Sequence, residues 1–143
     1  MLIGEYKHSL DGKGRISVPA KFRSELGSSA IVTKGLEGCL FMYPKSQWEL
    51  MANRLANMPV SSANARAFSR LMLSGAMEVE IDRLGRALLP GYLREYAGLE
   101  GETVVTGVYN RVEIWDKKSW TEYSKNAEKN SADIAETLTE WEV

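Results

Sequence analysis

The sequence predicts a mixed α+β domain, mostly β, in which two internal repeats close on each other as a pseudo-dimer. Three observations carry that expectation. First, Asp11-Gly-Lys-Gly-Arg-Ile-Ser-Val-Pro19 returns as Asp82-Arg-Leu-Gly-Arg-Ala-Leu-Leu-Pro90, at an offset of 71 residues. Second, the copies share types tied to backbone geometry: Gly14/Gly85, Pro19/Pro90 and Gly27/Gly98, besides Asp11/Asp82, Arg15/Arg86 and Arg23/Arg94. Third, neither copy has enough strands to close a barrel alone, whereas two half-barrels joined together leave no exposed edge.

Each repeat reads as the same series of parts. Tyr6–Leu10 and Met77–Ile81 alternate apolar and polar residues, the pattern of a half-buried strand. Each runs into an Asp-x-x-Gly-Arg turn, where glycine permits a left-handed backbone. A second short strand follows, Arg15–Val18 or Arg86–Leu89. Proline then starts a short helix, where its missing N–H costs nothing. Phe22 and Leu26, or Leu93 and Ala97, form its apolar edge, and Gly27 or Gly98 ends it as a left-handed cap. Two further strands come next, around Ile31–Thr33 in the first copy and Val104–Gly107 and Val112–Trp115 in the second.

Helices fill the remainder. Ser46-Gln-Trp-Glu49 reads as a capping box opening a helix with Trp48, Met51, Leu55 and Met58 on one face. A second helix covers about 62–73, carrying Ala63, Ala67, Phe68, Leu71 and Met72. Ser119-Trp-Thr-Glu122 reads as another capping box, opening one long C-terminal helix with Trp120, Tyr123, Ala127, Ile134, Leu138 and Trp141 at helical spacing. The expected division is a first repeat at 1–60, a connecting helix at 61–76, and a second repeat with the C-terminal helix at 77–143, all in one compact unit.

Charge is unevenly distributed. The net charge of −1 over 143 residues argues mildly against a nucleic-acid partner. It hides two opposite regions. Lys7, Lys13, Arg15, Lys21 and Arg23 against Asp11 make residues 7–23 strongly basic, the local patch that phosphate contact needs. From Glu122 onward six acids face two lysines. The single cysteine, Cys39, permits neither an intrachain disulfide nor a thiolate cluster. No signal peptide or roughly 20-residue apolar span is visible, so a reducing cytoplasm is the expected location and no membrane partner is expected.

The segment 11–23, the second Asp82-x-x-Gly-Arg86 and Tyr43-Pro-Lys-Ser-Gln-Trp48 closely resemble the MraZ family, of the AbrB-like swapped-hairpin barrel superfamily. The resemblance covers residues 1 to about 123. Gly12 departs from it, standing where the family more often has a small side chain such as alanine. The resemblance implies an AbrB-like swapped-hairpin β-barrel with flanking helices. It also implies a transcriptional regulator of the bacterial division and cell-wall gene cluster, in the nucleoid, acting as a repressor. Such a protein binds tandem promoter repeats in double-stranded DNA as a ring-shaped homo-oligomer.

Arg15 and Arg86 are the candidate base readers, because the guanidinium fork matches guanine O6 and N7. Lys13, Arg83, Lys7 and Lys21 are candidate phosphate contacts. The first repeat is expected to carry more of that affinity, since Lys13 and Lys21 face Leu84 and Tyr92 in the second. Asp11, Gly14, Asp82 and Gly85 are expected to build the turns. A plainer alternative stands beside this: each arginine simply pairs with the aspartate four residues before it. Arg23 and Arg94 read as ion pairs or surface charges. Arg66 and Arg70 fit a partner protomer's carboxylates.

Nothing points to an enzyme. The only histidine, His8, falls opposite Val79 and reads as structural. Phosphate-binding loops, nucleophile elbows and zinc-protease motifs do not occur. No cofactor, metal or small-molecule substrate is expected. The competing class is a protein-interaction module, antitoxin-like or scaffold, working through the acidic C-terminal helix.

Overall fold

A computed structural model describes residues 1–141. The elements are β1 (Leu2–Ser9), β2 (Arg15–Ser17), α1 (Ala20–Leu26), β3 (Ser29–Lys34), β4 (Leu40–Tyr43) and α2 (Lys45–Ala56), then α3 (Ala63–Ser74). The second repeat gives β5 (Met77–Glu80), β6 (Arg86–Leu88), α4 (Gly91–Ala97), β7 (Glu102–Tyr109), β8 (Val112–Asp116), α5 (Lys117–Lys129) and α6 (Ser131–Glu136), with a final 3₁₀ turn at Thr139–Trp141.

The repeats exchange strands. An antiparallel sheet runs β1-β7-β8-β4-β3-β5, and β2 pairs with β6 in a separate ribbon. The first strand of each repeat therefore lies on the third strand of the other: Leu2–Ser9 on Glu102–Tyr109, and Met77–Glu80 on Ser29–Val32. This is a mixed α+β swapped hairpin built from one chain. β1 extends past the alternating segment to Leu2, because β7 offers a partner for each of its residues.

Two apolar layers sandwich the sheet. On one face Ile16, Val18, Ala87 and Leu89 from the ribbon and Phe22 and Leu93 from the short helices meet Val32, Met42, Val105 and Ile114. Full burial of each large side chain there is worth about 1.5–3 kcal/mol. On the other face Phe41, Tyr43, Val104 and Trp115 lie under Leu55 of α2 and Met72 of α3. β4 is buried on both faces, which explains its continuous Leu-Phe-Met-Tyr run. Glu113 is buried there as a satisfied carboxylate, accepting from Arg111 Nη2 at 2.8 Å and Trp115 Nε1 at 3.1 Å.

Several helix ends differ from the sequence reading. Neither Ser46 nor Ser119 caps a helix. α2 starts at Lys45 behind Pro44, without a side-chain cap. α5 starts at Lys117, and Asp116 accepts from the Ser119 N–H at 3.1 Å. Ser62 does cap α3, accepting from Ala65 N. The inward residues of α3 are Ala65, Phe68 and Met72, while Ala63 and Ala67 face solvent. The long C-terminal helix breaks at Asn130 (φ −103°, ψ 14°), whose side chain donates to Asn126 O at 2.9 Å beside its backbone N–H at 3.1 Å. Gly98 has the left-handed cap (φ 62°, ψ 33°); Gly27 has a positive φ but an extended ψ of −155°.

Candidate nucleic-acid interface

The two Asp-x-x-Gly-Arg turns have the same geometry. Asp11 Oδ1 accepts from the N–H groups of Lys13 and Arg15, both at 2.9 Å, and Oδ2 accepts from Arg15 Nε at 2.6 Å. Asp82 repeats this with Leu84 and Arg86 N–H at 2.9 Å and Arg86 Nε at 3.0 Å. Backbone bonds close each turn, Asp11 N to Arg15 O and Gly14 N to Asp11 O, with matching bonds at Asp82 and Gly85. The Arg15 N–H, helped by its guanidinium and the Lys13 N–H, holds the Asp11 carboxyl down at about 2, against partial desolvation that raises it. Asp82 is lowered in the same way, first by the Arg86 N–H.

The glycines carry a second contact that the sequence did not reveal. Gly14 and Gly85 have φ of 85° and 79°. A Cβ on Gly85 would fall into the guanidinium of Arg23, and one on Gly14 into that of Arg94. These arginines are anchored by Nε bonds of 2.9 Å to Val18 O and Leu89 O. Arg23 and Arg94 are therefore latches, each lying on the turn of the opposite repeat; among the described residues neither forms an ion pair. The available signal was the coincidence of a repeated arginine with a repeated glycine, but the cross-repeat pairing needs the strand exchange.

The ribbon places Arg15 and Arg86. Arg15 lies opposite Leu88 and Ser17 opposite Arg86. Ile16 and Ala87 point into the core, so Arg15, Ser17, Arg86 and Leu88 share the outward face. Each arginine uses Nε on its aspartate, and among the described residues the Nη groups have no hydrogen-bond partner. Side-chain exposures of 27% and 30% leave those groups reachable. The two turns sit at opposite ends of the ribbon, since Val18 N donates to Gly85 O and Leu89 N to Gly14 O.

The exchange regroups the remaining cations. Lys13 is exposed at the first turn and Arg83 at the second. Lys21 is exposed on α1, which starts at the second turn, so it belongs with Arg83 rather than Lys13. Lys7 is exposed on β1, where it lines a groove with Ser9 and Glu102. A groove of about 370 Å³ alongside the ribbon is lined by Arg15, Arg86, Leu88 and Met77, and also by Glu78 and Glu80. The positions corresponding to those glutamates in the first repeat are Lys7 and Ser9. The two flanks therefore differ in sign.

The matches to known proteins follow this geometry. The family model described as "MraZ protein, putative antitoxin-like" matches residues 1–71 and again 72–141. The chain belongs to the MraZ family. Its relatives include the "Transcriptional regulator MraZ" of Syntrophomonas wolfei, 48% identical over 140 residues and 98% of both chains. The protein of that name from Natranaerobius thermophilus is 46% identical over the full length of both, and that of Desulforamulus reducens is 50% identical over 98% of this chain and 99% of its own. The two MraZ matches fall on the two exchanged hairpins, one copy of the turn in each. These relatives bear the name of a regulator, not of an enzyme. Among the described residues no helix is long and apolar enough to cross a membrane.

Proposed function

We propose that the protein is a sequence-specific, double-stranded-DNA-binding transcriptional regulator that lays the β2–β6 ribbon into the major groove. One observation carries the reading: two dyad-related arginines on the outward face of a two-stranded antiparallel ribbon, each aimed by its own aspartate with the Nη groups left over. A ribbon of this kind fits the major groove, and a fixed guanidinium suits bidentate contact with guanine. The Asp–Arg pair and base contact are then one device, because the pair sets the angle of the fork.

Arg15 and Arg86 read bases; Lys13, Arg83 and Lys21 neutralise phosphate at the ribbon ends, and Lys7 extends the basic flank. Asp11, Gly14, Asp82 and Gly85 hold the turns. The β1 flank is the stronger phosphate anchor, since Glu78 and Glu80 oppose DNA on the β5 flank. The name borne by the relatives supports regulation of transcription. The finer reading is repression of the division and cell-wall gene cluster, through tandem repeats bound by a ring of copies in the nucleoid. The chain acts as one unit: repeat 1–60, connecting helix 61–76, repeat 77–143.

Gel-shift titration against tandem and scrambled repeats at two salt concentrations tests this. Preference for the repeats, with affinity falling steeply as salt rises, is expected. Sequence-blind binding, or none, returns the advantage to a protein-interaction module.

A further inference from the structure

The C-terminal arm is only partly packed on its own chain. The aromatic contacts of α5 with its own sheet lie in its first two turns, where Trp120 and Tyr123 pack on Trp115 at ring separations of 5.3 and 5.1 Å. From Ser131 to Trp141 no residue of the arm is fully buried: Ile134, Leu138 and Trp141 are exposed, Trp141 at 71%. Asp133, Glu136 and Glu140 alternate with them along the arm, so it is both apolar and acidic. An isolated helix this short and this acidic is marginal in water, so the arm needs a surface to fold against.

A second unpartnered surface has the opposite charge. The cleft between α2 and α3 is lined by Met58, Pro59, Val60 and Leu73, with Arg66 at its wall. Val60 is 78% exposed. Arg66, Ser69, Arg70 and Leu73 fall on one face of α3 at helical spacing. Arg66 bonds only a backbone carbonyl, Val60 O at 2.8 Å, and Arg66 and Arg70 form no ion pair among the described residues. Arg54 adds a further cation in the last turn of α2. Residues 45–74 hold four cations and one acid, and one of those cations, Lys45, is already paired with Glu78.

We infer that the acidic arm of one copy docks in the α2–α3 cleft of the next copy. Ile134, Leu138 and Trp141 cover the apolar lining, and Asp133, Glu136 and Glu140 meet Arg66, Arg70 and Arg54. The β1–β7 end, with exposed Ile3 and Val108, offers no free cluster of cations among the described residues, and the exposed Leu84 and Leu88 belong to the ribbon of the proposed DNA face. Arm and cleft are different surfaces, so the contact is head-to-tail, and its repetition builds rings or open chains. The inference rests on the homo-oligomer within the proposed function, and it names the surfaces that make it.

The test uses two charge-reversed full-length proteins, Arg66→Glu/Arg70→Glu and Asp133→Arg/Glu136→Arg, sized by light scattering with circular dichroism as a control of folding. The wild type is expected as an oligomer. Each variant alone is expected at the 16.0 kDa of the single chain. An equimolar mixture is expected to reassemble, because each arm then finds a cleft of opposite charge. Variants that assemble like wild type, or a mixture that stays monomeric, would overturn the arm-to-cleft contact and leave DNA binding untouched. A monomeric wild type at all concentrations would instead remove the oligomer itself. Affinity for a DNA fragment carrying one repeat is expected to be equal for all three proteins, which separates this contact from the ribbon.

Discussion

At Gly14 and Gly85 the place of a side chain is taken by a guanidinium from the other repeat. Gly85→Ala adds a positive-φ penalty to a collision with Arg23, for an expected loss of about 1–3 kcal/mol in urea unfolding. Removing Arg23 first should shrink that loss, since the two groups share one space; equal losses in both backgrounds would deny the latch. Arg15→Ala and Arg86→Ala should each weaken binding to the tandem repeats by about 1–3 kcal/mol. Arg15→Lys should rescue little, because a lysine cannot form the fork. The aspartates add a pH signature. Asp11 folds with its pKa below the ordinary 3.8, at about 2. Its contribution to stability is complete above about pH 4 and is lost as pH falls through the folded value. Asp11→Asn should therefore flatten part of the acid limb of a stability-against-pH curve and change nothing of its shape above pH 5.

The elements show which signals in a sequence survive folding. The strands flanking each turn and the short helices after Pro19 and Pro90 were legible, because turn glycines, prolines and an apolar i, i+4 edge act locally. Capping was misread where a residue earlier in the chain took the role. Asp116 ends β8 and caps α5 at once, so the serine three residues later is the donor rather than the cap. Asp116→Ala should cost about 1 kcal/mol and Ser46→Ala close to nothing, measured by thermal unfolding. Ser62→Ala should resemble Asp116→Ala. The break at Asn130 escaped notice because the apolar spacing continues through it, while the side-chain bond to Asn126 does not register in a periodicity.

Strand exchange decides what the whole molecule can do, and it was only half legible. The repeat predicts a pseudo-dimer, yet neither composition nor spacing says that β1 crosses to β7, or that Lys21 ends beside the turn carrying Arg83. Charge summed along the chain consequently misassigns cations to ends of the ribbon. The same exchange explains why each arginine latch reports on the other repeat: removing Arg23 should loosen the turn at Gly85, and removing Arg94 the turn at Gly14. At this scale affinity depends on joining sites. One ribbon on one short repeat is expected to bind weakly, whereas linked ribbons on linked repeats would gain by effective concentration. Cutting the operator to a single repeat should thus collapse the affinity; similar affinity for one and several repeats would count against an assembly.

Base reading by the paired arginines of the ribbon would leave its own signature in sequence preference. The most direct measurement is the ratio of affinities for tandem over scrambled repeats, at one fixed salt concentration, for the wild type and for Arg15→Ala/Arg86→Ala. The ratio is expected to lie well above one for the wild type and to fall to about one in the double variant, with residual salt-sensitive binding kept by Lys13, Lys21 and Arg83. A double variant that folds normally and keeps the wild-type ratio would contradict it.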